Sequence, residues 1–255
     1  NHTLVSAGSV GSDGAARQEH EGVSQAEYVP EACPLVRAVF LPEPHIFVAQ
    51  PQTAFLLPFR ARSLGAPIRL NCAGAQAAAA GDLDGDGALD LVIACKQENG
   101  PEHSVVYWGG PDGFTDTRRT ELDTKQACDV AVGDLDCDGR DEVVFCQHKS
   151  AVSFTTESLV YHTSSERRFG APARLLSHDA RRVFIAHPAG AAPSVVIVNH
   201  FARTCSDNVK TSVYYGGPEG FAADRCEEVI ASGAVDATAC DISDRGVADL
   251  VLCNA

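Results

Sequence analysis

Two short stretches of the chain carry carboxylates at a spacing that suits a hard cation. In Asp82-x-Asp84-x-Asp86-Gly87-x-x-Asp90, acids stand at positions 1, 3, 5 and 9 and glycine at position 6. Alternate residues of a tightly curled loop can all aim oxygen inward, and Ca2+ takes about six to eight oxygen ligands. Gly87 permits the sharp bend, and the carbonyl of Ala88 at position 7 supplies a backbone ligand. Without a cation, four carboxylates this close repel one another and resist ionisation; with Ca2+ the repulsion becomes attraction. The second stretch is Asp134-x-Asp136-x-Asp138-Gly139, with Arg140 at position 7, Asp141 at 8 and Glu142 at 9. Glutamate is one methylene longer than aspartate, so this site is expected to bind with changed geometry.

An EF-hand begins with the same ligand spacing but needs a bidentate Glu at position 12 and a helix on each side. Position 12 is Ile93 in the first loop and Phe145 in the second, both inside strand-like runs. The EF-hand reading fails there. A decayed copy keeps Asp241 and Asp249 at positions 1 and 9 but has Ser243 at 3 and Arg245 at 5. The guanidinium of Arg245 would stand where an ion sits, so this loop is expected to be metal-free. Any bound ion is expected to be structural, tying an inter-strand loop down and adding its binding free energy to folding.

The elements that position these loops repeat. The two acidic stretches lie 52 positions apart, and the decayed copy lies about two periods further on. The skipped copy falls near 187, where His187-Pro188-Ala189-Gly190-Ala191-Ala192 has no acid but is followed by Val195–Val198. Val105-Val106-Tyr107-Trp108-Gly109-Gly110-Pro111-Asp112-Gly113-Phe114 returns as Val213-Tyr214-Tyr215-Gly216-Gly217-Pro218-Glu219-Gly220-Phe221. Leu64–Leu70 returns as Phe169–Leu175, 105 residues later. Three markers sharing a period near 53 define a repeat protein.

Each unit reads as β-structure. Leu89–Ala94, Val143–Cys146, Val195–Val198 and Asp249–Cys253 are short, apolar and β-branched, as expected of innermost strands in a packed interior. The Gly-Pro-Asp/Glu-Gly segments carry the signature of a type I turn. Gln76–Ala80 has helix-forming composition but ends at Gly81, and no amphipathic helix of 12 or more residues stands out. An all-β chain of roughly 53-residue units with three or four strands each has the size of propeller blades. About five units are visible, near 33–63, 64–113, 114–168, 169–220 and 221–255, behind a polar Gly/Ser-rich segment, 1–30, expected to be a tail or linker.

At these residues the chain resembles the FG-GAP/VCBS repeat family, the repeats of the integrin-α calcium-binding propeller. Phe169-Gly170-Ala171-Pro172 is the tetrapeptide that names the family, and Asp82–Asp90 and Asp134–Glu142 match its calcium motif. The likeness covers 64–255, and more loosely 33–63 through Leu35–Phe40, His45–Gln50 and Ala54–Phe59. It departs at 187–194 and at Ser243 and Arg245. The resemblance implies a β-propeller, two bound Ca2+, an extracellular or periplasmic setting, and binding or adhesion. Integrin-like propellers have seven blades, so a fragment of a longer propeller is expected.

Composition agrees with this picture. The chain has 255 residues, 34 Asp plus Glu against 20 Lys plus Arg, and a net charge of −14. Phosphate-bearing partners would be repelled, which argues against nucleic acid. No apolar run reaches the roughly 18 residues of a membrane span. Nine of the 34 acids lie in 82–90 and 134–142, so much of the acidity belongs to the two loops. Ten cysteines contain no CxxC pair; Cys205 and Cys226 flank a hairpin and are candidates for a cross-link. His148 and His200 share a repeat position, read as structural. Tyr107, Trp108, Tyr214 and Tyr215 are read as packing between blades rather than as a sugar platform. No GxSxG, HExxH, P-loop or GxGxxG motif occurs. The reading is therefore a secreted or cell-surface binding module for a protein or glycan. A propeller-scaffold polysaccharide lyase or hydrolase and a non-catalytic segment of a larger protein are the alternatives.

Overall fold

A computed structural model describes residues 35–97, 103–150, 152–187, 192–201, 209–217, 221, 224–231, 233–242 and 249–254. Its apolar, β-branched runs all become strands, and no helix occurs among the described residues. The first sheet holds β1 (Leu35–Leu41), β2 (Glu43–Ala49) and β3 (Ala54–Arg60), with β4 (Ser63–Leu64) and β5 (Ile68–Leu70) both paired to β3. The second is β6 (Ala75–Gly81), β7 (Asp90–Cys95), β8 (His103–Tyr107) and β9 (Arg119–Asp123). The third is β10 (Ala127–Gly133), β11 (Glu142–Gln147), β12 (Thr155–Tyr161) and β13 (Ala173–His178). The fourth is β14 (Ala180–Ala186), β15 (Ser194–Asn199), β16 (Lys210–Tyr215) and β17 (Cys226–Ile230). A two-stranded sheet, β18 (Ala234–Cys240) and β19 (Asp249–Asn254), follows. Every pair is antiparallel and, apart from β3 with β5, joins chain neighbours, so the sheets have the meander topology of propeller blades.

The first strands β1, β6, β10, β14 and β18 pack side by side and are the innermost ones. This corrects the expectation for Leu89–Ala94, Val143–Cys146, Val195–Val198 and Asp249–Cys253, which lie on β7, β11, β15 and β19, the second strands. Strands β7, β11 and β15 are buried along their whole length because a neighbouring blade covers each face, not because they line the axis. The inner strand must instead fit where blades converge, and small side chains do so. That is why Gln76–Ala80, helical by composition, is strand β6.

A second repeat lies on these inner strands. The last four, β6, β10, β14 and β18, each open with a buried alanine, Ala75, Ala127, Ala180 or Ala234, followed at once by a shift in register. The residue before it is left-handed every time: Gly74 (φ 71), Gln126 (φ 53), Asp179 (φ 46) and Gly233 (φ 64). The markers Leu64–Leu70 and Phe169–Leu175 contain outermost-strand residues of the first and third sheets, so the sequence units cut across the blades.

The core sits in the seams between blades. Leu56 and Leu70 of the first blade pack with Leu91 and Ile93 of the second. Trp108 and Leu122 of the second pack with Val143 and Phe145 of the third, and Val160 and Leu175 of the third pack with Val195 and Ile197 of the fourth. One tyrosine stitches each of these three seams. The hydroxyl of Tyr107 donates to the carbonyl of Asn71 (3.2 Å), that of Tyr161 to Asp123 (2.7 Å) and that of Tyr214 to Leu176 (2.8 Å). Tyr107, Trp108 and Tyr214 are thus packing residues, whereas Tyr215 is 39 % exposed. His148 and His200 both brace the connection into the next blade, His148 against Asp179 (3.3 Å) and His200 against the carbonyl of Gly233 (3.1 Å). Eight described cysteines are free, Cys226 among them; its proposed partner Cys205 lies outside the described residues.

Candidate metal centre

Both acidic loops join the first strand of a blade to the second. Gly81 pairs with Asp90 in one, and Gly133 pairs with Glu142 in the other, so position 9 is the first residue of the buried strand. The loops share their internal hydrogen bonds. Asp82 accepts the amides of Asp86 (3.1 Å) and Gly87 (2.9 Å), as Asp134 accepts those of Asp138 (3.1 Å) and Gly139 (3.0 Å). The Asp84 carboxylate accepts Asp86 N–H, and Asp136 accepts Asp138 N–H, both at 3.1 Å. At position 7, the amide of Ala88 donates to Asp86 (2.8 Å) and that of Arg140 to Asp138 (2.9 Å). Aspartates whose side chains fold onto backbone two to five residues ahead hold the loop curled. The turn at position 4 is left-handed in both, Gly85 at φ 77 and Cys137 at φ 62.

Three carboxylates converge in each loop. Asp82, Asp84 and Asp86 offer oxygens all within 4.8 Å of one another, and so do Asp134, Asp136 and Asp138. Position 9 does different work. Asp90 is buried and accepts Leu83 N–H (3.0 Å) and Gly109 N–H (2.7 Å), closing the loop onto its strand. Burial pushes its carboxyl up to about 6; the two amides oppose that shift, and the Asp84 charge adds to it. Glu142 likewise accepts Leu135 N–H (2.8 Å). Its other oxygen lies 3.4 Å from Nδ1 of His162, so Asp136, Glu142 and His162 form a further cluster within 4.8 Å. The extra methylene of glutamate allows this reach.

In the decayed loop the closure survives, since Ile242 N–H donates to Asp249 (3.2 Å). Asp241 and Asp249 begin and end this loop, while Ser243 and Arg245 lie outside the described residues.

Three residues at these loops are not read as site residues from the sequence. Asp141 joins the loops to each other, accepting Asp82 N–H (2.8 Å) while its own amide donates to the Asp82 carbonyl (2.9 Å). Arg167, on the connection between β12 and β13, places Nε 2.6 Å from Asp84 and a terminal nitrogen 3.1 Å from Asp86. Its guanidinium lies 5.2 Å over the Trp108 ring, which stacks at 5.7 Å on Phe169. His162 opens the same connection. The repeat gave a clue for His162 alone. Tyr161 pairs with Val143 as Tyr107 does with Leu91 and Tyr214 with Val195, so His162 stands where the other blades have Trp108 and Tyr215. Arg140 turns its side chain onto Asp138.

Elsewhere, charged groups meet on the inner strands, where Arg182 bridges Asp129 (3.3 Å) and Asp236 (2.9 Å). The three stand at matching positions of β10, β14 and β18, just past each register shift, so that one guanidinium is shared by two carboxylates.

The chain was compared with known families and structures. Residues 71–145 match the FG-GAP-like repeat family. No curated protein matches the chain. Among solved structures, one described as the Dos1 propeller superposes with a TM-score of 0.51 at 10 % identity, over 80 % of this chain and 51 % of that one. This chain thus spans about half the length of that structure, and the likeness concerns the fold alone.

Proposed function

We propose that this chain, a β-propeller whose residues 71–145 form an FG-GAP-like repeat stretch, is a calcium-stabilised extracellular binding module that engages a protein or glycan. One observation carries the reading: two loops, 52 residues apart, converge three carboxylates each through the same set of hydrogen bonds. All-oxygen carboxylate clusters suit Ca2+. The residues that would hold it are Asp82, Asp84 and Asp86 with the Ala88 carbonyl, and Asp134, Asp136 and Asp138 with the Arg140 carbonyl, while Asp90 and Glu142 close the loops. A bound cation would offset the mutual repulsion of these carboxylates.

Both loops sit between the first and second strands, and Asp141 ties them together. Cation binding is therefore expected to stiffen one edge of the second and third blades at once. A ligand-binding role on that frame is supported by the repeat family and the extracellular setting that family implies.

Thermal unfolding tests the calcium claim, with Ca2+ and with chelator, on wild type, Asp84→Ala and Asp136→Ala. Ca2+ at about 100 times its dissociation constant adds about 2.7 kcal/mol per site, roughly 5–10 °C for a domain of this size. Each variant is expected to lose part of that gain. A midpoint indifferent to chelation would end the calcium reading. Glycan and matrix-protein arrays then test the binding role.

A further inference from the structure

We infer that the second loop is not a copy of the first but a mixed nitrogen and oxygen site for a first-row transition ion of the Zn2+ or Mn2+ class. Its protein ligands are Asp136, Glu142 and Nδ1 of His162. The inference rests on the proposal that this loop holds a cation, and concerns which one.

Three observations carry it. The donor atoms of Asp136, Glu142 and His162 lie within 4.8 Å of one another. Nδ1 is 3.4 Å from Glu142 and 3.9 Å from Asp136. Two donors bound to one ion at about 2.1 Å and near tetrahedral angles are about 3.4 Å apart, so small adjustments would seat an ion between them. The Glu142 side chain is only 3 % exposed, and His162 is 41 % exposed, which leaves the imidazole side open to solvent and to an incoming ion.

The repeat supplies the second argument. Where the third blade has His162, the second has Trp108, and the cationic group over its loop is Arg167, which cannot ligate a metal. The first loop therefore offers oxygen alone. The third argument is Glu142 itself: the residue at position 9 of the first loop, Asp90, has both oxygens on backbone amides, whereas Glu142 gives one to Leu135 and keeps the other facing His162. Imidazole together with carboxylate suits Zn2+ and Mn2+, whereas Ca2+ prefers oxygen throughout. The ligating tautomer carries its proton on Nε2, leaving the Nδ1 lone pair for the ion.

The test uses the full chain in an Asp84→Ala background, which leaves the second loop as the site under study. Zn2+, Mn2+ and Ca2+ are titrated separately by calorimetry, with and without His162→Gln, and the Co2+ visible spectrum reports nitrogen ligation. His162→Gln is expected to weaken Zn2+ and Mn2+ by 10-fold or more, to change Ca2+ by less than about twofold, and to alter the Co2+ bands. Equal losses for all three ions, or none, would overturn the inference and leave His162 as an ion-pair partner of Glu142. If Asp136→Ala abolishes Ca2+ stabilisation while His162→Gln leaves the Zn2+ to Ca2+ ratio unchanged, only this inference falls. If Ca2+ never binds but Zn2+ binds in a His162-dependent way, the calcium reading of this loop falls and this one stands.

Discussion

Arg167 holds its Nε 2.6 Å from Asp84 although 83 residues separate them. The contact crosses a blade seam: Asp84 belongs to the second blade, and Arg167 to a connection of the third. Asp84 is almost wholly buried and the Arg167 side chain is one-third exposed, so the pair is better shielded than a surface bridge. The guanidinium therefore acts as a resident cation at the first loop and competes with any metal for Asp84 and Asp86.

Removing that competitor has a definite consequence. Arg167→Gln should lower the Ca2+ concentration needed to half-fill the first loop by about 5- to 10-fold, the scale of one or two charge-assisted hydrogen bonds. In chelator the same variant should lose about 1–3 kcal/mol, because the buried Asp84 carboxylate is left without its partner. Calorimetric titration in an Asp136→Ala background isolates the first loop. An unchanged midpoint would show that Arg167 stands aside without cost.

Cys137 sits at φ 62 where the first loop has Gly85 at φ 77. A side chain in the left-handed region costs roughly 1–2 kcal/mol, which glycine escapes but partly returns through unfolded-state entropy. Cys137→Gly should therefore stabilise the protein by about 0.5–1 kcal/mol, measured by urea denaturation, without loss of cation binding at Asp134, Asp136 and Asp138. Destabilisation would mean that the exposed thiol makes a contact worth more than the strain.

The charged chain on the inner strands yields a third expectation. Asp129 is 5 % exposed and also accepts Val183 N–H at 3.0 Å. Burial raises its pKa; Arg182 opposes that shift most strongly. Arg182→Met should leave the Asp129 charge uncompensated and cost about 2–3 kcal/mol. Adding Asp129→Asn should recover much of the loss, because the amide carries no charge to strand. A double variant as unstable as the sum of the two singles would show that the residues do not act as a pair.

The legible parts of this molecule are those that repeat in kind. The acidic loops, the Tyr107 and Tyr214 hairpins and the apolar second strands recur with the same chemistry, and the fold follows from them. The chain Asp129, Arg182, Asp236 occupies one repeat position but alternates in charge, so alignment of units sees only variation there. Strand β6 was obscured because Ala-rich sequence favours helix locally, while the crowding that selects alanine comes from neighbouring blades. His162 and Arg167 fall in a hairpin whose turn departs from the Gly-Gly-Pro marker, and only folding brings that hairpin onto both loops.

His148 supplies the pH dependence. Its Nε2 lies 3.3 Å from Asp179, whose other oxygen takes Arg181 at 2.9 Å. Burial lowers the imidazole pKa below its ordinary value; the Asp179 charge opposes this, and Lys96 and Arg181 reinforce it. The folded protein therefore binds this proton less readily than the unfolded chain, whose histidine titrates near about 6.5. Between that value and the depressed folded pKa the unfolded state holds more protons, so unfolding free energy rises with pH. The His148 contribution is complete above about pH 6.5 and is lost as pH falls through and below it. Urea denaturation at pH 7.5 and at pH 5.5 should show wild type losing more stability on acidification than His148→Gln. The comparison is made in chelator, so that protonation of the acidic loops enters both proteins alike. Equal losses would mean that the Asp179 charge cancels the effect of burial and that the imidazole titrates as it does in the unfolded chain.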